Sequence, residues 1–363
     1  KTIKKQMKNL LKNGLLLATI GLTVFTSCRR DGDEIVPTSR TEIDHLLIQE
    51  VYYTGTYYTR ILGKKESPIP YNDDKYIKIY NPTSETVYLD NYALAVHVFN
   101  PSDRITLSEE FNFMKNHFGV ATMVLFGGDG TQHPLHPGKS VLVAQKAVDH
   151  KAKLIEDLEL EEDGLKDYKR LDQLLDLSKA NFQWTTKDED DTPINKENVM
   201  KLLYSEGEWE NIENMKNFDL SKSFVVGLLK LGDTPENIKK TFQKEENAGE
   251  KATNKYFRNV AYKTAGHHDK YTTVLTIPYD WVEDAVTVCP NSEFKWPLVT
   301  PIDKGHKGVQ EKASSGKRGS SNVDKDAAGK ALRRKHDGNK YVDDNNSTFD
   351  FEVVEASASL SKE

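Results

Sequence analysis

Short runs of β-branched, aromatic and aliphatic residues recur along the chain and limit its fold class more than any other feature. Turn residues separate these runs, and regular helices do not alternate with them, a pattern that favours a mostly β, antiparallel sandwich over a parallel α/β fold. The predicted strands are Leu46–Tyr53, Lys75–Pro82, Thr86–Val96 with a turn near Asp90-Asn91, Met123–Phe126, Lys139–Ala144, Ser223–Leu229, Thr272–Pro278, Asp284–Pro290 and Ser347–Val354.

Alternation is clearest in the segment Lys75–Pro82. Ile77 and Ile79 fall on one face with Lys78 opposite, as in a half-buried strand, and a proline ends the run.

The region from 151 to about 217 departs from this pattern. Between residues 152 and 178, leucines and a tyrosine recur at steps of three, four and seven, with acids and lysines between them, which is helical spacing. We therefore expect a helical insertion at about 151–217 on a β domain that spans 45–356. A capped helix is predicted at Thr234–Glu245, and the Gly/Ser/Lys-rich segment 303–330 is predicted to be mobile.

Residues 1–27 have the three parts of an export signal. Lysines form a basic start, Gly14–Phe25 is an apolar run of twelve residues, and the small residues Thr26 and Ser27 precede Cys28. A helix that spans a bilayer needs about 20 apolar residues, so this run is too short to remain as an anchor.

Phe25–Cys28 resembles the bacterial lipobox, in which the cysteine is acylated and the signal is cut away just before it. The resemblance implies lipidation at Cys28, a tether over residues 28–44 and a lipid anchor in the outer membrane. An ordinary secretory signal with an incidental cysteine is the alternative interpretation.

The charges that follow resemble the surface-export signal of Bacteroidota lipoproteins. Asp31, Asp33 and Glu34 lie close behind the cysteine, although Arg29 and Arg30 interrupt the acidic pattern. This resemblance implies the cell surface, with the periplasmic leaflet as the alternative.

Charge and cysteine content narrow the function classes. The net charge of −6 is spread along the chain, which argues against nucleic acid as a partner. Cys289 is the second of two cysteines, so no intramolecular disulfide can form once Cys28 carries lipid.

Two segments resemble the opening and closing parts of a lamin-tail-type domain. Residues 73–96 ("DDKYIKIYNPTSETVYLDNYALAV") give a strand, Tyr80-Asn81-Pro82 and a turn into a second strand. Residues 329–353 ("GKALRRKHDGNKYVDDNNSTFDFEV") give an arginine strand, an Asp/Asn turn and a final Asp-Phe strand. With the lipobox, the chain resembles a Bacteroidota lipoprotein family of unknown function with a lamin-tail-like, immunoglobulin-like sandwich. That resemblance implies fold and compartment, and no catalytic residues.

The loop Gly127–Thr131 ("GGDGT") matches the core of the lipid and NAD kinase signature, in which an aspartate, here Asp129, works near a metal. Such phosphate sites need a helix directly after the loop, whereas Pro134 and Pro137 follow here and disfavour one. An exported protein also meets no ATP pool. We favour a turn between two strands, in which the glycines supply positive φ.

Histidines and acidic loops are candidate metal ligands. His133 and His136 flank Leu135, and His267-His268 adjoin an aspartate, although neither pair has a specific metal-site spacing. Two acidic loops could supply oxygen ligands to calcium, although Asp and Asn also stabilise turns by themselves. These loops are Asn72–Asp74 and Asp343–Asn346, with Asp343, Asp344 and Asn345 as the candidate ligands of the second. Calcium is the one cofactor that these residues suggest.

Trp281 and Trp296 fall near predicted strand ends, where a glycan or partner could stack on them, with core packing as the alternative. The basic residues Arg333–Lys335, with Lys317-Arg318, could contact lipid phosphates or protect a sheet edge. No nucleophile signature is present, and Cys289 precedes a proline without a defined histidine partner.

These features predict a non-catalytic outer-membrane lipoprotein, exposed at the cell surface, that binds a ligand or acts as accessory subunit of a TonB-dependent transporter. A metal- or calcium-dependent ligand-capture protein is the first alternative, through His133 and His136 or the 343–345 loop. An enzyme that uses the GGDGT loop is the second.

Overall fold

Strands that pair mainly in antiparallel fashion build the chain, which confirms the predicted fold class. The computed structural model describes residues 42–160, 162–187, 196–205, 218–220, 222–241, 255–263, 269–311, 323–338 and 340–360. The export signal, Cys28 and residues 28–41 of the predicted tether lie outside these residues. One compact unit spans Arg40–Glu363.

The first large sheet has six strands, and only its β10–β12 pair is parallel among the described strands. Its spatial order is β12 (Phe182–Gln183), β10 (Ser140–Ala144), β4 (Tyr76–Tyr80), β1 (Leu47–Tyr52), β18 (Lys330–Arg334) and β19 (Phe351–Glu355).

The second large sheet has eight strands. Its order is β17 (Val282–Val288), β14 (Phe224–Lys230), β6 (Tyr92–His97), β8 (His117–Leu125), β16 (Asp269–Pro278), β15 (Phe257–Lys263) and β7 (Thr106–Leu107), with β13 (Lys201–Ser205) paired to β8.

Smaller elements complete the described structure. A three-stranded sheet contains the hairpin β2 (Thr56–Leu62) and β3 (Lys65–Tyr71) with β11 (Tyr168–Lys169), and β5 (Val87–Tyr88) pairs with β9 (Pro134–Leu135). The described α-helices are α1 (His150–Asp157), α2 (Glu162–Leu165), α3 (Pro235–Lys240) and α4 (Ser347–Asp350).

The main core lies between the two large sheets. Ile77 and Ile79 of β4 belong to the same buried cluster as Leu94 of β6 and Val226 of β14, as the alternation predicts. The opposite face of β4 is also buried, so the expectation of a half-buried strand is wrong there. Lys78 is 4% exposed, and its Nζ lies 3.5 Å from Glu50 Oε2.

The second sheet is buried on its other face as well. There Phe118, Val225 and Ile277 pack in a second apolar cluster. Burial on both faces explains why β14 reads as a continuous apolar run instead of alternating.

The 151–217 region contains helix, but less than the leucine spacing predicts. Only α1 and α2 are α-helical among its described residues, because the chain turns through positive φ at Glu159 (50°) and Arg170 (68°). Its leucines still pack together, with Leu154 and Leu171 against Tyr58 of the β2–β3 hairpin. The same region supplies β12 to the first sheet and β13 to the second.

Two local predictions are corrected and one is confirmed. The predicted strand at Ser347–Val354 is wrong in its first half, where α4 forms with Asn346 as its N-cap. Mobility is also wrong for the start of segment 303–330, because Asp303 is buried and accepts a hydrogen bond from Ser347 N at 2.8 Å. The start of the helix predicted over Thr234–Glu245 is confirmed: the helix runs over Pro235–Lys240, and the Thr234 side chain caps it. Residues 242–245 of the prediction lie outside the described residues.

Candidate functional site

A polar cleft opens at one end of the six-stranded sheet. Strands β1 and β10 end there and β4 and β18 begin there, so antiparallel pairing brings four distant chain segments together. The base of the β2–β3 hairpin and residues 219–220 close its sides. The cleft has a volume of about 570 Å³, within the range of small-molecule sites. Its lining residues are Tyr53, Thr54, Thr56, Pro70, Asn72, Asp73, Lys75, Gln145, Asp219, Leu220, Lys222, Gln310, Val323, Asp324, Ala327 and Ala328.

Lys75 is held in place at the start of β4. It is 7% exposed, and its Nζ donates to Asp219 Oδ1 and to the Leu220 carbonyl, both at 2.8 Å. A buried ammonium group is tolerated only when it is paired and hydrogen-bonded, and both conditions are met.

The carboxylates of the cleft also have internal partners. Asp73 Oδ2 accepts from Lys146 Nζ at 2.7 Å. Asp324 Oδ2 accepts from Gln310 Nε2 at 2.7 Å, and its Oδ1 accepts from the backbone N–H groups of Asp326 and Ala327.

Two lining groups, in contrast, have no hydrogen-bond partner among the described residues. They are Thr56 Oγ1 and Gln145 Oε1. Thr56 is 3% exposed, so its hydroxyl is withdrawn from bulk water. Gln145 Nε2 donates to Asp73 Oδ1 at 3.4 Å. A carboxylate can only accept a hydrogen bond, so the amide nitrogen faces Asp73 and Oε1 is the atom that lacks a partner among the described residues.

Asp74 lies beside the cleft segment and is fully buried. Tyr52 donates to its Oδ2 at 3.3 Å, and its Oδ1 has no partner in the described part of the chain. Burial raises the pKa of Asp74 to about 7. The three residues of the loop Asn72–Asp74, predicted as a calcium site, do not face one common point. Asn72 and Asp73 line the cleft, whereas Asp74 contacts Tyr52.

The GGDGT loop surrounds a carboxylate of the protein itself. Asp90 accepts from the backbone N–H groups of Gly130 (3.2 Å), Gln132 (3.0 Å) and His133 (3.0 Å). Gly128 has φ of 113°, and a Cβ there would collide with the Asp90 carboxylate. The loop leads into β9, and Asp129 is exposed and accepts from Thr131 in a local turn. The amides that would cradle a phosphate therefore already bind an anion.

We expect Asp90→Ala to lower the free energy of unfolding by about 2–3 kcal/mol, because three backbone N–H groups lose their acceptor. Urea denaturation of the variant measures this. Asp129→Ala, a change of an exposed carboxylate in the same loop, is the matched control and should cost less than about 1 kcal/mol. Equal losses in the two variants would contradict the role given to Asp90.

His133 and His136 have different surroundings. The His133 ring packs edge-on against Phe182 at 5.0 Å, whereas His136 is exposed and its Nδ1 lies 3.0 Å from Thr86 Oγ1. His267-His268 lies outside the described residues. Among the residues that the structure describes, no group of three or more His, Cys, Asp or Glu side chains is arranged to hold a metal ion.

The two candidate tryptophans pack against the second apolar cluster. Trp281 lies against Gly232 and 5.6 Å from the Tyr256 ring. Trp296 is partly buried, and its Nε1 has no partner within the described residues. Neither lines the cleft.

The 343–345 loop serves a buried arginine. Asp343 Oδ1 accepts from Arg334 Nη1 at 3.1 Å, and its Oδ2 lies 3.2 Å from His45 Nε2. The Asp344 backbone donates to Asp350 Oδ1, and Asn345 turns the chain at φ of 51°. Within the basic cluster, Arg334 is 1% exposed, too deep to reach a lipid headgroup, and Arg333 Nε donates to Glu50 Oε2 at 2.7 Å. Protection of a sheet edge is wrong, because β18 lies between β1 and β19. Lys317-Arg318 lies outside the described residues.

Sequence reasoning missed most of the cleft. Thr56 lies in a hairpin that was not predicted, and Gln145, Asp219 and Asp324 carry no local pattern. The Asn72–Asp74 loop, predicted as a source of oxygen ligands, was the one sequence signal for this cleft.

Comparisons with known proteins agree on a family. No curated protein matches the sequence. The crystal structure of a DUF4876 family protein from Bacteroides thetaiotaomicron VPI-5482 is similar, with a TM-score of 0.58 and 18% identity over 85% of this chain and 71% of that one. At this identity the likeness shows the fold alone. Within the described residues, no helix has the length and apolar character needed to cross a membrane. The model of DUF4876, a protein family of unknown function, matches residues 136–358, more than half of the chain, and the chain therefore belongs to the DUF4876 family.

Proposed function

We propose that this protein is a surface-exposed outer-membrane lipoprotein that binds a small polar ligand in the cleft, as a non-catalytic binding or transporter-accessory subunit. The observation that carries the proposal is the cleft itself. It combines a volume of about 570 Å³ with two lining residues, Thr56 and Gln145, whose buried side-chain oxygens have no hydrogen-bond partner among the described residues. Convergent polar groups in a concave site are the usual mark of ligand binding.

The lamin-tail-like, immunoglobulin-like character of the sandwich is part of the proposal. Two features of the resembling segments support it. Asn81 is fully buried and donates to the carbonyls of Glu85 and Leu135 at 2.8 Å, so the Tyr80-Asn81-Pro82 turn is fixed from within. The arginine strand and the Asp/Asn turn meet through the Arg334–Asp343 ion pair.

The lipid anchor rests on the lipobox resemblance at Cys28. We expect Cys28→Ser to prevent acylation and to move the protein from the membrane fraction to the soluble fraction. Metabolic labelling with a palmitate analogue, followed by fractionation, measures both effects. Cys289→Ser is the matched control and should remain labelled and membrane-bound. Retention of label in Cys28→Ser would contradict the anchor.

A ligand panel tests binding in the cleft. The full chain in detergent is screened by thermal shift against neutral oligosaccharides, amino acids and dipeptides, organic phosphates and divalent cations. One class is expected to raise the melting temperature of the wild type and not that of a Thr56→Val/Gln145→Leu double variant. A shift that the double variant retains, or no shift with any class, would contradict the proposal.

A further inference from the structure

The cleft contains a polar group that lowers the stability of the empty protein. Thr56 lines the cleft, and its side-chain Oγ1 is buried and has no partner among the described residues. A buried hydroxyl without a hydrogen bond is destabilising, whereas a methyl group of the same shape is not. A group kept at such a cost is expected where function requires it.

The charges of the cleft are compensated within the protein. The lining carries three carboxylates and two lysines, and Lys146 pairs with Asp73 from just outside. The three aspartates of the lining are therefore matched by its two lysines and Lys146, and the net charge of these six groups is zero. Lys75 is already bonded twice, and Asp324 holds three donors. A charged ligand would have to compete with these contacts.

Both unpartnered atoms are buried, so a ligand reaches them only when the Thr56 and Gln145 side chains turn toward the cleft. The two atoms then define what the ligand must offer. Gln145 Oε1 only accepts, so it needs a donor. The Thr56 hydroxyl both donates and accepts, so it suits a group of the same kind. A ligand hydroxyl meets both requirements and can also donate to the unused lone pairs of the cleft carboxylates.

Apolar surface lies between these polar groups. Pro70, Leu220, Val323, Ala327 and Ala328 contribute aliphatic lining. Such a surface can contact the C–H face of a ring that carries hydroxyls at its rim. The volume suits a ligand larger than a single ring.

From this juxtaposition we propose that the cleft binds an uncharged, polyhydroxylated ligand, a neutral oligosaccharide, through Thr56 and Gln145. The inference rests on the proposed binding function and names the ligand class for that site.

The test uses an array of neutral di- to tetrasaccharides, with the full chain in detergent, followed by titration calorimetry of the best sugar. Thr56→Val and Gln145→Leu are each expected to weaken binding by about tenfold or more, because each leaves a sugar hydroxyl unpaired. Thr56→Val should at the same time keep or raise the melting temperature, since it removes an unsatisfied buried hydroxyl. Thr106→Val and Gln173→Leu, matched changes at exposed positions, should leave binding unchanged.

The outcomes separate the ligand class from the general proposal. Sugar binding that Thr56→Val abolishes without loss of stability supports both. Binding of dipeptides, phosphates or cations that depends on Thr56 overturns the ligand class and leaves the binding function standing. Sugar binding that persists in both cleft variants overturns this site. A fall in the melting temperature of Thr56→Val would show that its hydroxyl is bonded within the protein, which also overturns the inference.

Discussion

Replacing Arg334 with methionine is expected to lower the free energy of unfolding by about 3–5 kcal/mol, the largest effect of any single substitution considered. Arg334 ends β18 and is 1% exposed. Its Nη2 contacts Asp284 Oδ2 at 2.5 Å, its Nη1 contacts Asp343 Oδ1 at 3.1 Å, and Asp350 Oδ2 lies 3.6 Å away. The guanidinium also donates to the backbone carbonyls of Ile48 and Val342 and stacks on Phe351.

The loss is large because methionine fills the space and leaves buried carboxylates without their cation. Removing one member of a buried ion pair costs more than the pair contributes, since the remaining charge stays desolvated. Arg104→Met, at an exposed position, is the matched control and should change stability by less than about 0.5 kcal/mol. Urea denaturation of both variants at neutral pH gives the comparison. A loss below about 1 kcal/mol for Arg334→Met would show that this cluster does not hold the closing strands together.

Replacing Asp74 with asparagine is expected to stabilise the protein at alkaline pH. Burial raises the pKa of Asp74 from 3.8 to about 7, so the folded protein holds this proton more tightly than the unfolded chain does. The stability that comes from the neutral carboxyl is therefore complete below the unfolded value and is lost as pH rises through about 7. At about 1.4 kcal/mol per pKa unit, the wild type loses about 4 kcal/mol from this group between about pH 4 and pH 8.

Asparagine keeps the shape and does not ionise. The free energy of unfolding of Asp74→Asn should thus match that of the wild type near pH 4 and exceed it by several kcal/mol, at most about 4, near pH 8. Denaturation curves at four pH values measure the difference. Asp103→Asn, an exposed change, should run parallel to the wild type. If Asp74→Asn also ran parallel, the carboxyl would not change its protonation state in the folded protein over this range.

The sequence was sufficient for the scaffold wherever a local pattern decides the structure. The alternation of Ile77 and Ile79, the turn at Asp90-Asn91 and the Thr234 cap each depend on residues close together in the chain. The prediction was wrong where tertiary contacts decide. Residues 347–350 form a helix that Asn346 caps and that Asp303, from a segment expected to be mobile, also holds by accepting from the Ser347 backbone N–H and hydroxyl.

The site was less predictable for the same physical reason. The spacing predicts that Lys78 lies on a solvent-facing side of β4. That side of the sheet is covered as well, and the lysine pairs with Glu50 there. Asp343 lies in an Asp/Asn turn that could supply oxygen ligands to calcium, and its distant partner Arg334 gives it another role. Thr56 and Gln145 are 89 positions apart in the sequence, and only the pairing of strands brings them to one cleft.

Affinity capture of the C-terminally tagged protein from gently solubilised outer membrane, after crosslinking in intact cells, tests the transporter-accessory role. We expect a TonB-dependent transporter to be recovered in near-equal amount with the wild type and to be lost with Cys28→Ser. Recovery of the protein alone from the membrane fraction would contradict the accessory role, and recovery from the soluble fraction alone would contradict the lipid anchor.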